Sequence, residues 1–324
     1  MLDKLPPEIC AHIFDFACTD SGRTERSLGR VSRYIRQTSE LARYTNIALV
    51  GRAQTLGFAQ FLAEHTYIRV KTRRLFISGK DSKKELKSLT YPPSAGGEHA
   101  LCREVASAVE RILSALGPSL EVLDISLNEY VAELPVQPIS LPHLVDLTTR
   151  CDFPFYSNDL PLLEPTHSLR YLHVVDSRRN RVCVEEFFEN GISYFAPSLT
   201  HLRLSQLHGG AISELEYALD PSRVPPSWLS KITHLPATME LVLLKPAVER
   251  NYPCACGRCD YCDDMDEYGN LMERARELRD KDRRVVLLKA DSTRPAKGSN
   301  LQEWLDGGAF DWDASDLDLK VGRY

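Results

Sequence analysis

A short leucine phrase recurs along the middle of this chain, and no other feature limits its fold as strongly. The leading leucines of the four copies are Leu120, Leu144, Leu169 and Leu199, separated by 24, 25 and 30 residues. Within each copy a pattern close to Leu-x-x-Leu-x-Leu sends alternate side chains toward one core. Each copy therefore predicts a short strand that is buried on one face.

Patterns typical of helices lie between these strands. Apolar residues recur at helical spacing over residues 98–116 and again over residues 185–195, and residues 53–65 predict a helix with Leu56, Phe61 and Leu62 facing inward. Further strand-like runs occur at residues 47–50, 73–77, 239–244 and 284–288. Short strands that alternate with helices favour a parallel sheet with right-handed crossovers, so the predicted fold class is α/β.

The interval and the phrase together resemble degenerate leucine-rich repeats. This resemblance implies that residues 51–290 form a curved parallel sheet with outer helices, and that the concave sheet face or the loops at one strand edge hold a ligand. The exposed candidates for that contact are Glu121, Asp124, Arg170, His173, His201 and Arg203. The alternative is an irregular α/β domain whose strands share only their buried leucines.

The first part of the chain predicts a small module of three short helices. Pro6 and Pro7 stand near a first helical turn, where proline is tolerated, and Glu8 lies close to the positive end of the helix dipole. A second helical pattern begins at Thr24, a candidate N-cap, and a third begins at Ser32. Because so small a module buries too little surface to be stable alone, we expect it to pack against another chain.

The order of residues in this module resembles the F-box, especially that of F-box proteins from mushroom-forming fungi. The similarity rests on Leu5-Pro6-Pro7-Glu8-Ile9, Ile13-Phe14, Leu28, Val31-Ser32-Arg33-Tyr34-Ile35 and Tyr44. It implies an F-box at residues 1–50 that binds a Skp-family adaptor and, through it, a cullin scaffold. The positions assigned by the resemblance to adaptor binding or to the core of the module are Leu5, Pro6, Pro7, Ile9, Ile13, Leu28, Val31 and Ile35.

The function implied by this resemblance is binding rather than catalysis: a substrate receptor of a Skp/cullin/F-box-type ubiquitin ligase, with an unknown client protein on the repeat domain. The chain has none of the common nucleophile-elbow, zinc-protease, P-loop or dinucleotide-binding motifs, and this fits a non-enzymatic role. One alternative is an interaction or scaffold protein that acts outside ubiquitin ligation. Another is a helical cap that contacts no other chain.

Four cysteines, Cys254, Cys256, Cys259 and Cys262, crowd into nine residues. Four thiolates suit tetrahedral zinc, so these residues are the candidate metal ligands, and no other cofactor is expected. Structural zinc sites usually combine two separated ligand pairs, which leaves a solvated cysteine-rich loop and a redox switch as alternatives. A metal- or nucleic-acid-binding protein centred on this cluster is therefore a further functional hypothesis.

Charge and composition narrow the range of partners. The formal net charge of −5 offers no general attraction to nucleic acid, and the basic residues are not interleaved with aromatic ones for base stacking. No apolar run approaches a membrane span, so neither nucleic acid nor a membrane is an expected partner. The odd total of nine cysteines fits a reducing compartment, the cytosol or the nucleus.

The end of the chain differs in composition from the rest. Residues 291–324 form an acidic tail, and residues 303–318 contain six acids and no base. Trp304, Phe310 and Trp312 stand among these acids. We expect the tail to pack through its aromatic residues onto the last strand, with a short partner-binding motif as the alternative.

Overall fold

The computed structural model describes residues 5–18, 23–39, 44–65, 71–79, 95–127, 139–150, 164–175, 188, 192–207, 211–220, 222, 234–247, 260–290, 299–305 and 312. The chain divides into two compact units. One comprises Met1–Leu144 with Lys297–Phe310, and the other comprises Val145–Ala296 with Asp311–Tyr324. Within each unit, neighbouring strands pair in parallel, so the predicted α/β class with parallel strands is confirmed.

Three short helices open the first unit, in the predicted order. They are α1 (Pro7–Ala17), α2 (Arg23–Leu28) and α3 (Arg33–Thr38). Ser32 is the N-cap of α3, where its hydroxyl accepts a hydrogen bond from the Ile35 amide at 3.2 Å. The expected N-cap at Thr24 is wrong, because α2 already begins at Arg23 and places Thr24 inside its first turn.

The rest of the first unit alternates strands and helices along the chain. The elements are β1 (Asn46–Val50), α4 (Arg52–Glu64), β2 (Arg74–Ser78), α5 (Ala95–Leu116) and β3 (Val122–Ser126). Leu75 on the middle strand β2 aligns with Ile47 on β1 and Leu123 on β3. Consecutive strands are therefore neighbours in the sheet.

The second unit is also built from parallel strands and helices. Its elements are β4 (Asp146–Thr149), β5 (Tyr171–Val175), α6 (Ile192–Phe195), β6 (His201–Leu207), α7 (Ala211–Leu219), β7 (Leu241–Pro246), α8 (Asp260–Lys281) and β8 (Val285–Leu287). Leu147, Leu172, Leu202 and Val242 align across four of these strands. A last helix, α9 (Ser299–Leu305), belongs to the first unit.

The leucine phrase forms the apolar core as the spacing predicts. Leu120, Leu144, Leu169 and Leu199 are all fully buried just before their strands. Thr72 is buried three residues before Leu75, which aligns with Leu123 of the phrase. Met239 is likewise buried three residues before Val242, which aligns with Leu202. The helical prediction for residues 98–116 is also confirmed, since Val109, Ile112 and Leu113 of α5 are buried.

The buried face of α4 differs from the sequence expectation. Leu56, Phe61 and Leu62 are only half-buried, whereas Thr55 and Ala59 are buried. The Thr55 hydroxyl donates to the Gly51 carbonyl oxygen at 3.1 Å, which satisfies its polar group inside the core. Small side chains let α4 pack against α5 and β1, so size rather than hydrophobicity selects this face.

Candidate functional site

The helical module has a small core of its own. Cys10 and Phe14 lie four residues apart on α1, and Cys18 continues the same stripe at its C-cap. Together with Ile35 of α3 they form a cluster in which each residue is at most 1% exposed. The stripe that builds this core therefore consists of Cys10, Phe14 and Cys18 rather than of the isoleucines of α1.

Hydrogen bonds hold the chain ends of this module. The Tyr34 hydroxyl donates to the Leu5 carbonyl oxygen, which ties α3 to the residue before α1. The Asn46 side-chain amide donates to the Cys18 carbonyl oxygen at 2.6 Å, in a buried environment at the start of β1. The module is thus attached to the sheet of its own unit by a polar bond at the end of α1.

A second apolar stripe on α1 faces solvent. Ile9 is 47% exposed and Ile13 is 40% exposed, and their four-residue spacing places them on one helix face. Val31, just after α2, is 67% exposed. Among the described residues, the other exposed large hydrophobic side chains are Val145 and Tyr194. Exposed apolar side chains therefore concentrate in this module, where burying each one in an interface is worth about 1–2 kcal/mol.

The structure distinguishes the core residues of the module from its surface residues, two roles that the sequence could not tell apart. Ile35 belongs to the core of the module, and Leu5 and Leu28 pack against that core while partly exposed. Pro6 and Pro7 are exposed at the start of α1. Of the eight positions assigned by the F-box resemblance, those available to a partner on the surface are Pro6, Pro7, Ile9, Ile13 and Val31.

The candidate ligand residues of the repeat domain are placed differently from the expectation. Asp124 and His173 are only 4% and 3% exposed, so the prediction that they are exposed is wrong. Glu121 forms an ion pair with Arg73 at 2.8 Å, and an Arg170 guanidinium nitrogen donates to the Ser198 carbonyl oxygen at 2.6 Å.

Polar residues share one face of the sheet in the second unit. His173 aligns with Thr148 on β4 and Arg203 on β6, and Ser205 aligns with Lys245 on β7. Because side chains alternate along a strand, these residues lie on the face opposite the aligned leucines. We call the set formed by Asp146, Thr148, Tyr171, His173, His201, Arg203, Ser205 and Lys245 the polar sheet face.

His173 and Ser205 form a buried hydrogen bond at the centre of this face. His173 Nε2 lies 2.8 Å from Ser205 Oγ, and the Arg203 Nε donates to the same oxygen at 3.3 Å. Burial lowers the pKa of His173 well below its ordinary value, and the charges of Arg203, Arg150 and Lys245 lower it further. The imidazole is therefore neutral at physiological pH, so one ring nitrogen carries a proton and the other can accept a hydrogen bond.

Two tryptophans of the C-terminal segment contact the sheets. In the second unit, Trp312 lies 5.3 Å from Tyr171 and 5.7 Å from His201, measured between ring centroids. In the first unit, Trp304 is buried against Phe76 on β2, with the Arg74 guanidinium 5.4 Å from its ring centroid. For these two tryptophans the expected packing onto the last strand is wrong, because their contacts are made with β2, β5 and β6, and Phe310 lies outside the described residues.

The cysteine cluster lies mostly outside the described residues. Cys254, Cys256 and Cys259 are not among them, and Cys262 stands in the first turn of α8. The neighbouring acids Asp260 and Asp263 also stand in the first turn of this helix, where its dipole favours negative charge. In the part of the chain that the structure describes, no group of three or more histidine, cysteine or acidic residues could hold a metal ion.

No protein-family model, curated protein or solved structure matches this chain. The helices within the described ranges were also compared with the requirements of a bilayer, and none combines the length and apolar character needed to cross one.

Two features of these surfaces were not predicted from the sequence. It did not place Cys10 and Cys18 in the core of the module, although their spacing around Phe14 is helical. It also did not pair His173 with Ser205, which lie 32 positions apart along the chain. The available signal was that Ser205 stands two positions after Arg203, the residue that takes the place of His173 in the next leucine phrase.

Proposed function

We propose that this chain is an F-box substrate receptor of a Skp/cullin/F-box-type ubiquitin ligase. Its N-terminal helices bind the Skp-family adaptor, and its α/β body binds a client protein. The chain then performs no chemistry itself, since the ubiquitin-transfer machinery belongs to the cullin scaffold. Such a receptor works in the cytosol or the nucleus.

The observation that carries this proposal is the exposed stripe on the helical module. Ile9, Ile13 and Val31 leave large apolar side chains in solvent, although the module has a complete core made by other residues. Exposed apolar side chains grouped in so short a segment are typical of a protein interface. The adaptor surface proposed here therefore consists of Ile9, Ile13 and Val31, with Pro6 and Pro7 beside them.

The body supports the second half of the proposal. Parallel strands follow one another in chain order within each unit, and a leucine is buried before each of the four strands that carry the repeated phrase. Stacked repeats of one strand and one helix produce this order. We infer that residues 51–290 are degenerate leucine-rich repeats that present a sheet face to the client.

The first experiment measures binding of a purified Skp-family adaptor to the full chain by calorimetry. We expect Ile9→Asp to weaken binding about 30-fold or more, because a buried interface side chain is worth about 2 kcal/mol and the new carboxylate must be desolvated. Ile13→Asp should act in the same way. Unchanged affinity in both variants would falsify the proposed surface.

Two further variants separate binding from folding. Gln37→Asp adds the same carboxylate at an exposed polar position of α3 and should leave adaptor affinity unchanged. Ile35→Asp places a charge in the core of the module, so it should unfold the module and abolish binding. Circular dichroism should show native melting for Ile9→Asp and a lost transition or a lowered Tm for Ile35→Asp.

Reconstitution with a cullin distinguishes the ligase from a scaffold protein. A receptor joins the adaptor–cullin complex and promotes ubiquitin transfer to a captured client. Adaptor binding without cullin assembly would instead favour an interaction protein that acts outside ubiquitin ligation. Failure of the wild-type chain to bind any Skp-family adaptor would favour the helical cap.

A further inference from the structure

Three exposed arginines flank the exposed Val31 of the helical module. Arg30 directly precedes Val31, and Arg33 and Arg36 follow it on α3. All three arginine side chains are exposed, and Val31 is 67% exposed. We call the set formed by Arg30, Val31, Arg33 and Arg36 the arginine patch. It combines one apolar side chain with three positive charges.

A hydrogen bond brings the last of these arginines close to the others. The Arg36 Nε donates to the Gly29 carbonyl oxygen at 2.9 Å. Gly29 stands two positions before Val31, so the guanidinium group folds back from α3 toward the segment that carries Arg30 and Val31. This bond uses Nε, and the two terminal nitrogens of the guanidinium can still bind both oxygens of one carboxylate.

The arginine patch is not neutralised by nearby acids. In the parts of the chain that the structure describes, no carboxylate forms an ion pair with Arg30, Arg33 or Arg36. By contrast, Arg73 at the start of β2 pairs with Glu121 at 2.8 Å. Like charges three positions apart on a helix repel each other, as Arg33 and Arg36 do. A carboxylate from another chain would relieve this repulsion.

Local electrostatics explain Arg36 but not Arg33. Arg36 stands in the last turn of α3, where the helix dipole favours a cation. Arg33 is the first residue of α3, where the dipole disfavours a cation, and the first turn contains no acid to offset it. A residue placed against the local preference is expected at functional surfaces. The position of Arg33 therefore points to a contact outside the module.

The composition of the patch favours a protein partner over nucleic acid. Protein interfaces combine an apolar centre with a polar and charged rim, which is the arrangement of Val31 among its arginines. Single-stranded nucleic acid would instead need aromatic rings for base stacking. Tyr34, the aromatic residue that follows Arg33, packs against the core of the module. The partner that fits is a protein surface with carboxylates around an apolar site.

We propose that the arginine patch binds an acidic surface of the Skp-family adaptor: Val31 makes the apolar contact, and the three arginines pair with carboxylates around it. The inference rests on the proposed function, because the partner is the adaptor assigned there. Charges at an interface rim act mainly on the association rate, since they attract the partner before contact. The chain as a whole has a formal net charge of −5, so this attraction is local to the patch.

The test measures the association rate of a labelled, purified Skp-family adaptor with the full chain by stopped-flow fluorescence. We expect the double variant Arg30→Gln, Arg33→Gln to associate about fivefold or more slowly than the wild type at about 0.1 M salt, with little change in dissociation. The difference should shrink at about 1 M salt, where screening shortens the range of the attraction. Equal association rates at the lower salt concentration overturn the inference.

Charge reversal at Arg33 separates binding from folding. Arg33→Glu places an acid at the first position of α3, which the helix dipole favours, so thermal melting should show an unchanged or higher Tm. Association with the adaptor should nevertheless slow about tenfold or more. Arg276→Glu, at an exposed position of α8 in the second unit, changes the net charge equally and should leave the rate unchanged. Equal slowing in both variants would mean that net charge, not the patch, sets the rate, and would overturn the inference.

The outcomes separate this inference from the proposed function. If Ile9→Asp weakens adaptor binding but the arginine variants associate at the wild-type rate, the inference fails while the proposed function stands. If no Skp-family adaptor binds the wild type, both fail. An oligonucleotide serves as the second probe. If it binds the wild type but not the Arg30→Gln, Arg33→Gln variant, while adaptor association is the same in both, the patch belongs to nucleic acid and the inference is overturned.

Discussion

Neighbouring residues on α1 have opposite environments. Ile9 and Ile13 are exposed, whereas Cys10 and Phe14, one position further along, are buried. Because one residue advances a helix by about 100°, the two isoleucines form one apolar stripe on α1, and Cys10 and Phe14 form another on a different face. The less hydrophobic cysteine fills the core, and the isoleucines remain for a partner. A hydrophobicity scale alone would place the isoleucines in the core and the cysteine in solvent.

His173 makes the stability of the protein depend on pH. Its folded pKa is lowered, so the native imidazole stays neutral while the imidazole of the unfolded chain takes up a proton below about pH 6.5. The unfolded state then binds more protons, and the free energy of unfolding falls as pH decreases, by at most about 1.4 kcal/mol per pH unit for this group.

The measurement is urea denaturation between about pH 7.5 and pH 5.5, the window around the unfolded histidine pKa. His173→Gln removes the titrating imidazole and supplies a side-chain amide that can form a hydrogen bond with Ser205. We expect a shallower pH dependence in this variant. Identical slopes in the two proteins would contradict a neutral, buried His173.

At the scale of the element, a glycine in a helix and a glycine in a turn differ in the space available for a Cβ atom. Gly57 lies in the interior of α4, and a Cβ atom added there meets nothing within 4 Å. Gly117 begins the short 3₁₀ turn Gly117–Ser119 after α5, and an added Cβ atom would lie 2.5 Å from the Ser140 carbonyl oxygen. Close backbone approach therefore requires glycine at Gly117 but not at Gly57.

These positions form a matched pair of Gly→Ala substitutions. Gly117→Ala should lower the free energy of unfolding by about 1–3 kcal/mol, because backbone must move away from the new methyl group. Gly57→Ala should raise it by about 0.5–1 kcal/mol, since alanine loses less backbone entropy in a helix. Chemical denaturation of both variants tests the contrast, and destabilisation of similar size in each would refute it.

At the scale of the whole molecule, each unit contains a residue from the end of the chain. Trp304 packs on Phe76 in the first unit, and Trp312 packs on Tyr171 and His201 in the second. Both contacts join residues that are far apart in sequence. The acidic tail thus belongs to the folded structure at these two positions.

Removal of these tryptophans should have unequal effects on stability. Trp304→Ala empties a buried site and should cost about 3–5 kcal/mol. Trp312 is half-buried, so Trp312→Ala should cost less than about 2 kcal/mol. Thermal and urea denaturation measure both variants. A larger loss for Trp312→Ala than for Trp304→Ala would contradict this order.

Local patterns predicted most of the elements because their causes are local. Strand alternation, the spacing of the leading leucines and the proline at the start of α1 depend on neighbouring residues, and the structure confirms the corresponding strands and helices. The prediction for the buried face of α4 was wrong, because which side of a helix is buried depends on how close its neighbours come. Thr55 and Ala59 lie inside owing to their size, which an apolar pattern does not register.

By itself, the sequence determined the α/β class, the order of elements and the set of leucines in the core, since backbone geometry and side-chain periodicity act over a few residues. Tertiary structure decided which apolar residues of the helical module stay in solvent, which polar residues meet on one sheet face, and where the terminal tryptophans pack. Those outcomes depend on strand register and on contacts between distant segments. His173 and Ser205, 32 residues apart, meet at 2.8 Å only once adjacent strands are aligned.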